Sequence, residues 1–150
     1  MKYVYFLFAL VLFACSSSPI EEKVELTYPD GKAKVVVYID KETEEKVMEK
    51  ELYQNGKTKM EWNFKSELKN GEAKSFRTDG KPWSAHTYVN DTLQGPYKTW
   101  HENGQLYMDG QYNKGKKTGI WKFFKPDGGL EKEINFDNPA DVQSAAASAH

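Results

Sequence analysis

The stretch "YKTWHENGQLY", residues 97–107, places aromatic rings at Tyr97 and Trp100, then Asn103-Gly104, then a return through Leu106 and Tyr107. Asn-Gly between apolar runs is a hairpin signal, because Gly tolerates positive φ freely and Asn better than most residues. The dipeptide predicts a tight turn with both central residues at positive φ.

The stretch is one copy in a series. Turn glycines fall at Gly31, Gly56, Gly80, Gly104 and Gly128, each preceded by Asp or Asn, with spacings of 25, 24, 24 and 24 residues. A second set, Gly71, Gly95 and Gly119, is also 24 residues apart. Aligned on these glycines the units are 47–70, 71–94, 95–118 and 119–138, preceded by a worn copy at 23–46. The sixth place is large and apolar (Leu52, Phe76, Trp100, Phe124), the eighteenth aromatic (Phe64, Tyr88, Tyr112, Phe136), and the fourth lysine (Lys50, Lys74, Lys98, Lys122).

Each unit has two apolar runs and two breaks, predicting strand, tight turn, strand, looser turn. Leu106, Met108, Gly110 and Tyr112 alternate as one face of a strand, as do Thr58, Met60, Trp62 and Phe64. Tyr97 and Trp100 are three apart, as are Trp121 and Phe124, so either a bulge shifts the register or both faces carry rings. The expected fold is all-β: a repeat antiparallel meander of consecutive hairpins. Ten strands about 4.8 Å apart make a sheet roughly 43 Å long. No unit can shield its rings alone, so stability comes from neighbours.

The consensus "GxYKxWxxNGxLxxxGxYxxGxxxG" resembles the MORN-repeat variant, the repeat of the family often labelled YwqK-type antitoxin. The resemblance covers 47–138 and extends in worn form to 23. It departs at Val47, where Gly is expected, and at Glu49 and Ala73, where an aromatic is expected. It implies a MORN-like extended sheet and, by its label, an antitoxin that neutralises a partner toxin by direct binding.

Residues 1–15, "MKYVYFLFALVLFAC", carry Lys2 followed by an apolar run of 11 residues. That is short of the roughly 20 needed to span a bilayer, and reads as a secretory signal peptide over 1–14. Leu12-Phe13-Ala14-Cys15 resembles the lipobox of bacterial lipoproteins, which implies acylation of Cys15, a tether at 15–22 and an outer-membrane lipoprotein of the cell envelope. The tail 139–150 is small and polar and is expected to be disordered.

A net charge of −1 argues against bulk attraction to nucleic acid, and a single cysteine excludes an internal disulfide. No HExxH, CxxC or phosphate-cradling glycine loop is present, so neither metal nor cofactor is expected, and the chain is read as non-enzymatic. An acid–base role for His101 with Glu102 is the remaining catalytic possibility, in an enzyme acting on envelope glycans, and His86 reads as an ordinary pleat position. The candidate contact residues are Trp83, Tyr97, Lys98, Trp100, Tyr107, Trp121 and Lys122. The lysine column is a basic rail for an anionic partner, or a solvated face that discourages edge pairing. The rings are a stacking platform for sugar or peptide, or the packing layer of the repeat, with Trp83 and Tyr107 outside the columns. "DTL" (91–93) resembles an envelope O-glycosylation acceptor at Thr92, and otherwise reads as a turn between units. The function expected is a lipid-anchored envelope module that binds a protein or glycan partner through one sheet face.

Overall fold

The structure, a computed structural model, describes residues 19–147. The expected signal peptide and Cys15 lie outside the described residues. Ten strands follow one another: β1 (Ile20–Thr27), β2 (Ala33–Asp40), β3 (Lys46–Leu52), β4 (Thr58–Lys65), β5 (Leu68–Phe76), β6 (Pro82–Val89), β7 (Thr92–Trp100), β8 (Leu106–Asn113), β9 (Lys116–Phe124) and β10 (Leu130–Asn135). They form one sheet in chain order, every neighbour antiparallel. The meander expected from the glycine combs is the fold. The expected tether, however, ends too late: Ile20, Glu21 and Glu22 already pair with Asp40, Ile39 and Tyr38.

The two kinds of turn are the reverse of the expectation. At the Asn/Asp-Gly sites only the glycine has positive φ, from 82° to 92°. Gly104 N donates to His101 O and His101 N to Gln105 O, and the same pair of bonds recurs at Tyr28, Tyr53, Arg77 and Lys125. This is a three-residue loop, a type I turn closed by a left-handed glycine. The Asx side chain adds a bond of its own: Asn103 Oδ1 accepts from Gln105 N at 3.0 Å, and Asp30, Asn55, Asp79 and Asp127 do likewise. The tight two-residue turns join one hairpin to the next, at Ser66-Glu67, Asn90-Asp91 and Lys114-Gly115, where both residues have positive φ.

Register shifts repeat with the units. Beside each three-residue loop one residue of the return strand has no partner: Lys34, Lys59, Trp83, Tyr107 and Glu131. The shift falls on the return strand, so β7 alternates without interruption from Tyr97 to Trp100. Both faces therefore carry rings. A wider shift spans Gly71, Gly95 and Gly119, which accounts for the second comb.

The tail departs from the expectation of disorder. Residues Pro139–Ala147 form a helix, α1, lying against β10. Asn138 caps it: its Oδ1 accepts from Ala140 N at 3.2 Å and its Nδ2 donates to Asp141 Oδ1 at 2.9 Å. Pro139 occupies the first position, where its missing N–H costs nothing, and the alanines that follow are strong helix formers.

Candidate functional site

Alternation along the strands gives the sheet two unlike faces. One follows the register from Glu49 through Trp62, Ala73, His86, Tyr97 and Gly110 to Trp121 and Ile134. Its rings pack on one another: His86 stacks on Tyr97 with centroids 5.7 Å apart, and Trp121 meets Tyr97, Tyr112 and Phe136 at 5.5, 5.2 and 5.6 Å. Trp121 is 0% exposed, its Nε1 donates to Gln111 O, and the Lys117 ammonium lies 4.5 Å above its ring. Burial lowers the pKa of that lysine. The missing aromatic at Ala73 leaves no gap, since this residue is buried between Trp62 and His86.

The units are stitched by one recurring contact. Tyr28 Oη donates to Leu52 O at 2.7 Å, Tyr53 Oη to Phe76 O at 2.8 Å, and Arg77 Nη2 to Trp100 O at 3.0 Å. His101 Nε2 completes the column, 2.7 Å from Phe124 O. A carbonyl only accepts, so the imidazole carries its proton on Nε2. Each staple joins one hairpin to the next.

Comparison with protein families finds the MORN repeat variant at residues 69–90, 93–114 and 117–138. Three consecutive hairpins of this chain match that repeat. They are β5–β6, β7–β8 and β9–β10. The hairpins β1–β2 and β3–β4 lie outside the matched residues but share the loop, the bulge and the staple. No curated protein matches the chain. Among solved structures, TarM aligns at 13% identity and a TM-score of 0.35, covering 77% of this chain and 19% of that one. A mutant S. aureus TarM in complex with Fondaparinux, alpha-GlcNAc-glycerol and UDP aligns at 12% identity and 0.35, covering 69% and 18%. The chain thus spans about a fifth of the length of those proteins.

The second face of the sheet carries charge. In register across it run Lys50, Glu61, Lys74, Ala85, Lys98, Asp109, Lys122 and Glu133. The lysine column is therefore not an uninterrupted basic rail, because carboxylates alternate with it. Lys50 pairs with Glu61 at 3.9 Å, Lys74 with Glu72 at 2.8 Å and Lys122 with Glu133 at 3.3 Å. Among the described residues Lys98 makes no ion pair. Exposed pairs of this kind add little stability.

The candidate residues do not converge. Trp121 is sealed among rings and is withdrawn from any surface role, and Tyr97 and Trp100 are half-buried on opposite faces. Lys98 and Lys122 are exposed on the charged face, two strands apart. Trp83 and Tyr107, 54% and 38% exposed, are the bulge residues of their units. Tyr107 rests against His101 at 4.8 Å, which together with the staple leaves that imidazole a structural part of the loop. Its proposed acid–base partner Glu102 instead points to Arg77 at 3.8 Å, and its side chain is 89% exposed. His86 occupies its pleat position between two tyrosines, its pKa lowered by burial and then by Lys69. Thr92 is exposed at the start of β7, beside the Asn90-Asp91 turn. Among the described residues no three His, Cys, Asp or Glu side chains are grouped to hold a metal, and no helix is long and apolar enough to cross a membrane. The residue missed in sequence was Ile120, 54% exposed between Gly119 and Trp121. Its signal was a large apolar side chain at a position filled by Glu72 and Pro96 in the units before it.

Proposed function

We propose that this chain is a non-catalytic, lipid-anchored envelope module that binds a protein partner through the charged face of its sheet. MORN repeats suggest a binding or scaffolding module, and the asymmetry of the two faces supports the choice of face. One is closed by its own rings. The other leaves Pro96, Lys98, Ile120 and Lys122 around an open hollow of about 550 Å³. An exposed apolar side chain ringed by charges is the usual make-up of a polar-rimmed contact surface. The lipobox-like Leu12–Cys15 supports anchorage, and several acyl chains hold a protein on a bilayer far more firmly than one.

The test is affinity capture from detergent-solubilised envelope with the tagged lipoprotein. The expected result is a partner retained by the wild-type chain and lost from the double variant Lys98→Glu, Lys122→Glu. Equal retention by both removes the charged face from the reading. Separately, Cys15→Ser is expected to move the protein out of the membrane fraction, and a variant that stays there overturns the lipid anchor.

A further inference from the structure

The charge alternation on the second face has one break. Every position between two column lysines is acidic except one: Glu61 lies between Lys50 and Lys74, Asp109 between Lys98 and Lys122, and Ala85 between Lys74 and Lys98. Strand spacing puts the two lysine stems about 10 Å apart across that alanine. Lys98, on the open side, is also the column lysine with no ion pair among the described residues. A hollow of about 490 Å³ opens beside Ala85 toward Lys74, with Trp100, two residues from Lys98, as its wall on β7. Ala85 lies in its lining, with Phe76, Pro82 and Trp100 as apolar walls and Lys74 at its margin. The repeat thus omits one carboxylate where it also leaves room and apolar surface for a visiting side chain.

We propose that this notch takes a glutamate or aspartate from an extended segment of a protein partner, with the adjacent apolar residue of that segment set against Phe76 and Trp100. The visiting carboxylate stands where the other units place their own, between two ammonium groups that attract it more strongly as water is excluded. Glu61 and Glu72 line the same hollow beyond Lys74. They already engage Lys50 and Lys74, so the incoming acid is drawn to the Lys98 side. The proposal deepens the reading of the charged face as a protein-binding surface and rests on it.

The experiment titrates the full chain with a synthetic peptide of alternating Leu and Glu, and with its Leu-Gln counterpart, while recording the Trp100 indole and Lys98 amide resonances. The expected result is a saturable shift of both signals with the Glu peptide and its loss with the Gln peptide. Ala85→Glu fills the notch from within and is expected to abolish the shift, and Ala85→Gln, similar in size, is expected to weaken it by occupying the same room. Ala85→Glu is also expected to melt at a higher temperature than Ala85→Gln, because it completes the alternation. No saturable shift in the wild type, equal shifts with both peptides, or an Ala85→Glu chain that still binds overturns the notch. If Ala85→Glu still captures the envelope partner, the notch is wrong and the module reading stands. If the wild type captures no envelope partner while the peptide titrates as expected, the notch stands as a peptide site on the charged face and only the envelope partner falls.

Discussion

Gly110 exists in this sheet to make room for Trp121. A Cβ built on Gly110 would overlap Cδ2 and Cε2 of the indole and lie 2.7 Å from Cε3. Its φ is not positive, so the glycine answers to the ring and not to the backbone. The Gly119 register shift sets Trp121 over it, and Tyr97, Tyr112 and Phe136 close the sides. Gly110→Ala is therefore expected to destabilise the protein by about 1–3 kcal/mol, the range for overpacking. Trp121→Ala is expected to cost about 3–5 kcal/mol through the cavity it leaves. Urea unfolding checks both. In the double variant Gly110→Ala, Trp121→Ala the loss should fall short of the sum of the two single losses, because the absent ring relieves the overlap.

The staples carry a separate expectation. Tyr53→Phe removes the hydroxyl that donates to Phe76 O and nothing else. Loss of one such bond costs about 0.5–1.5 kcal/mol. The effect should be local to the join between the second and third hairpins, which amide hydrogen exchange reads as faster exchange there and unchanged exchange in β8 and β9. Uniform exchange would deny the staple any role in coupling units.

His86 predicts a pH dependence. Burial, then the charge of Lys69, hold its pKa below the ordinary value of 6.5, and its Nδ1 has no hydrogen-bond partner. Tyr88 and Tyr97 are the ring neighbours, and Lys69 is the charge that acts on it. The unfolded chain therefore takes up a proton first as the solution is acidified. Stability is present in full above about pH 6.5 and is lost as pH falls toward the depressed folded value. Chemical denaturation at pH 7 and pH 5 should show the loss, and His86→Phe should make it smaller. An unchanged slope would place the sensitivity elsewhere.

The two-residue turns offer a gain. Ser66 and Glu67 both hold positive φ, at 50° and 64°, which L side chains adopt at a cost. Asn-Gly suits that geometry better. The double variant Ser66→Asn, Glu67→Gly is expected to add about 0.5–2 kcal/mol, the usual yield of relieving a poor local fit. A fall in the thermal midpoint would contradict the turn assignment.

How much of this was legible in the sequence depends on whether a feature repeats as a residue or only as a role. The glycines repeat as residues, so the strand count and the meander could be read from Gly31 to Gly128. The turn types were misjudged because Asn-Gly serves both a two-residue turn and the end of a three-residue loop, and Glu102, the residue that separates them, carries no signal. Ser66-Glu67 has no glycine and so looked loose. The staple column was invisible because tyrosine, tyrosine, arginine and histidine share a donor and a position but no chemistry that a consensus would collect. The gap at Ala85 needed register, since an alanine between lysines is unremarkable until its strand neighbours are known. Trp121 was offered as a surface ring because a periodic tryptophan reads the same whether buried or exposed.

The staples also measure length. Each spans 23 residues, and the one from Tyr28 to Leu52 spans 24. The additional residue of that first unit arises between β2 and β3, where the 41–45 connection is three residues longer than the two-residue turns and β3 is two residues shorter than β5, β7 and β9. A gene for this protein can therefore grow or shrink by whole units, because a duplicated unit arrives with a donor for the copy after it and an acceptor for the copy before. An odd insertion survives only in a loop, where the ruler does not reach.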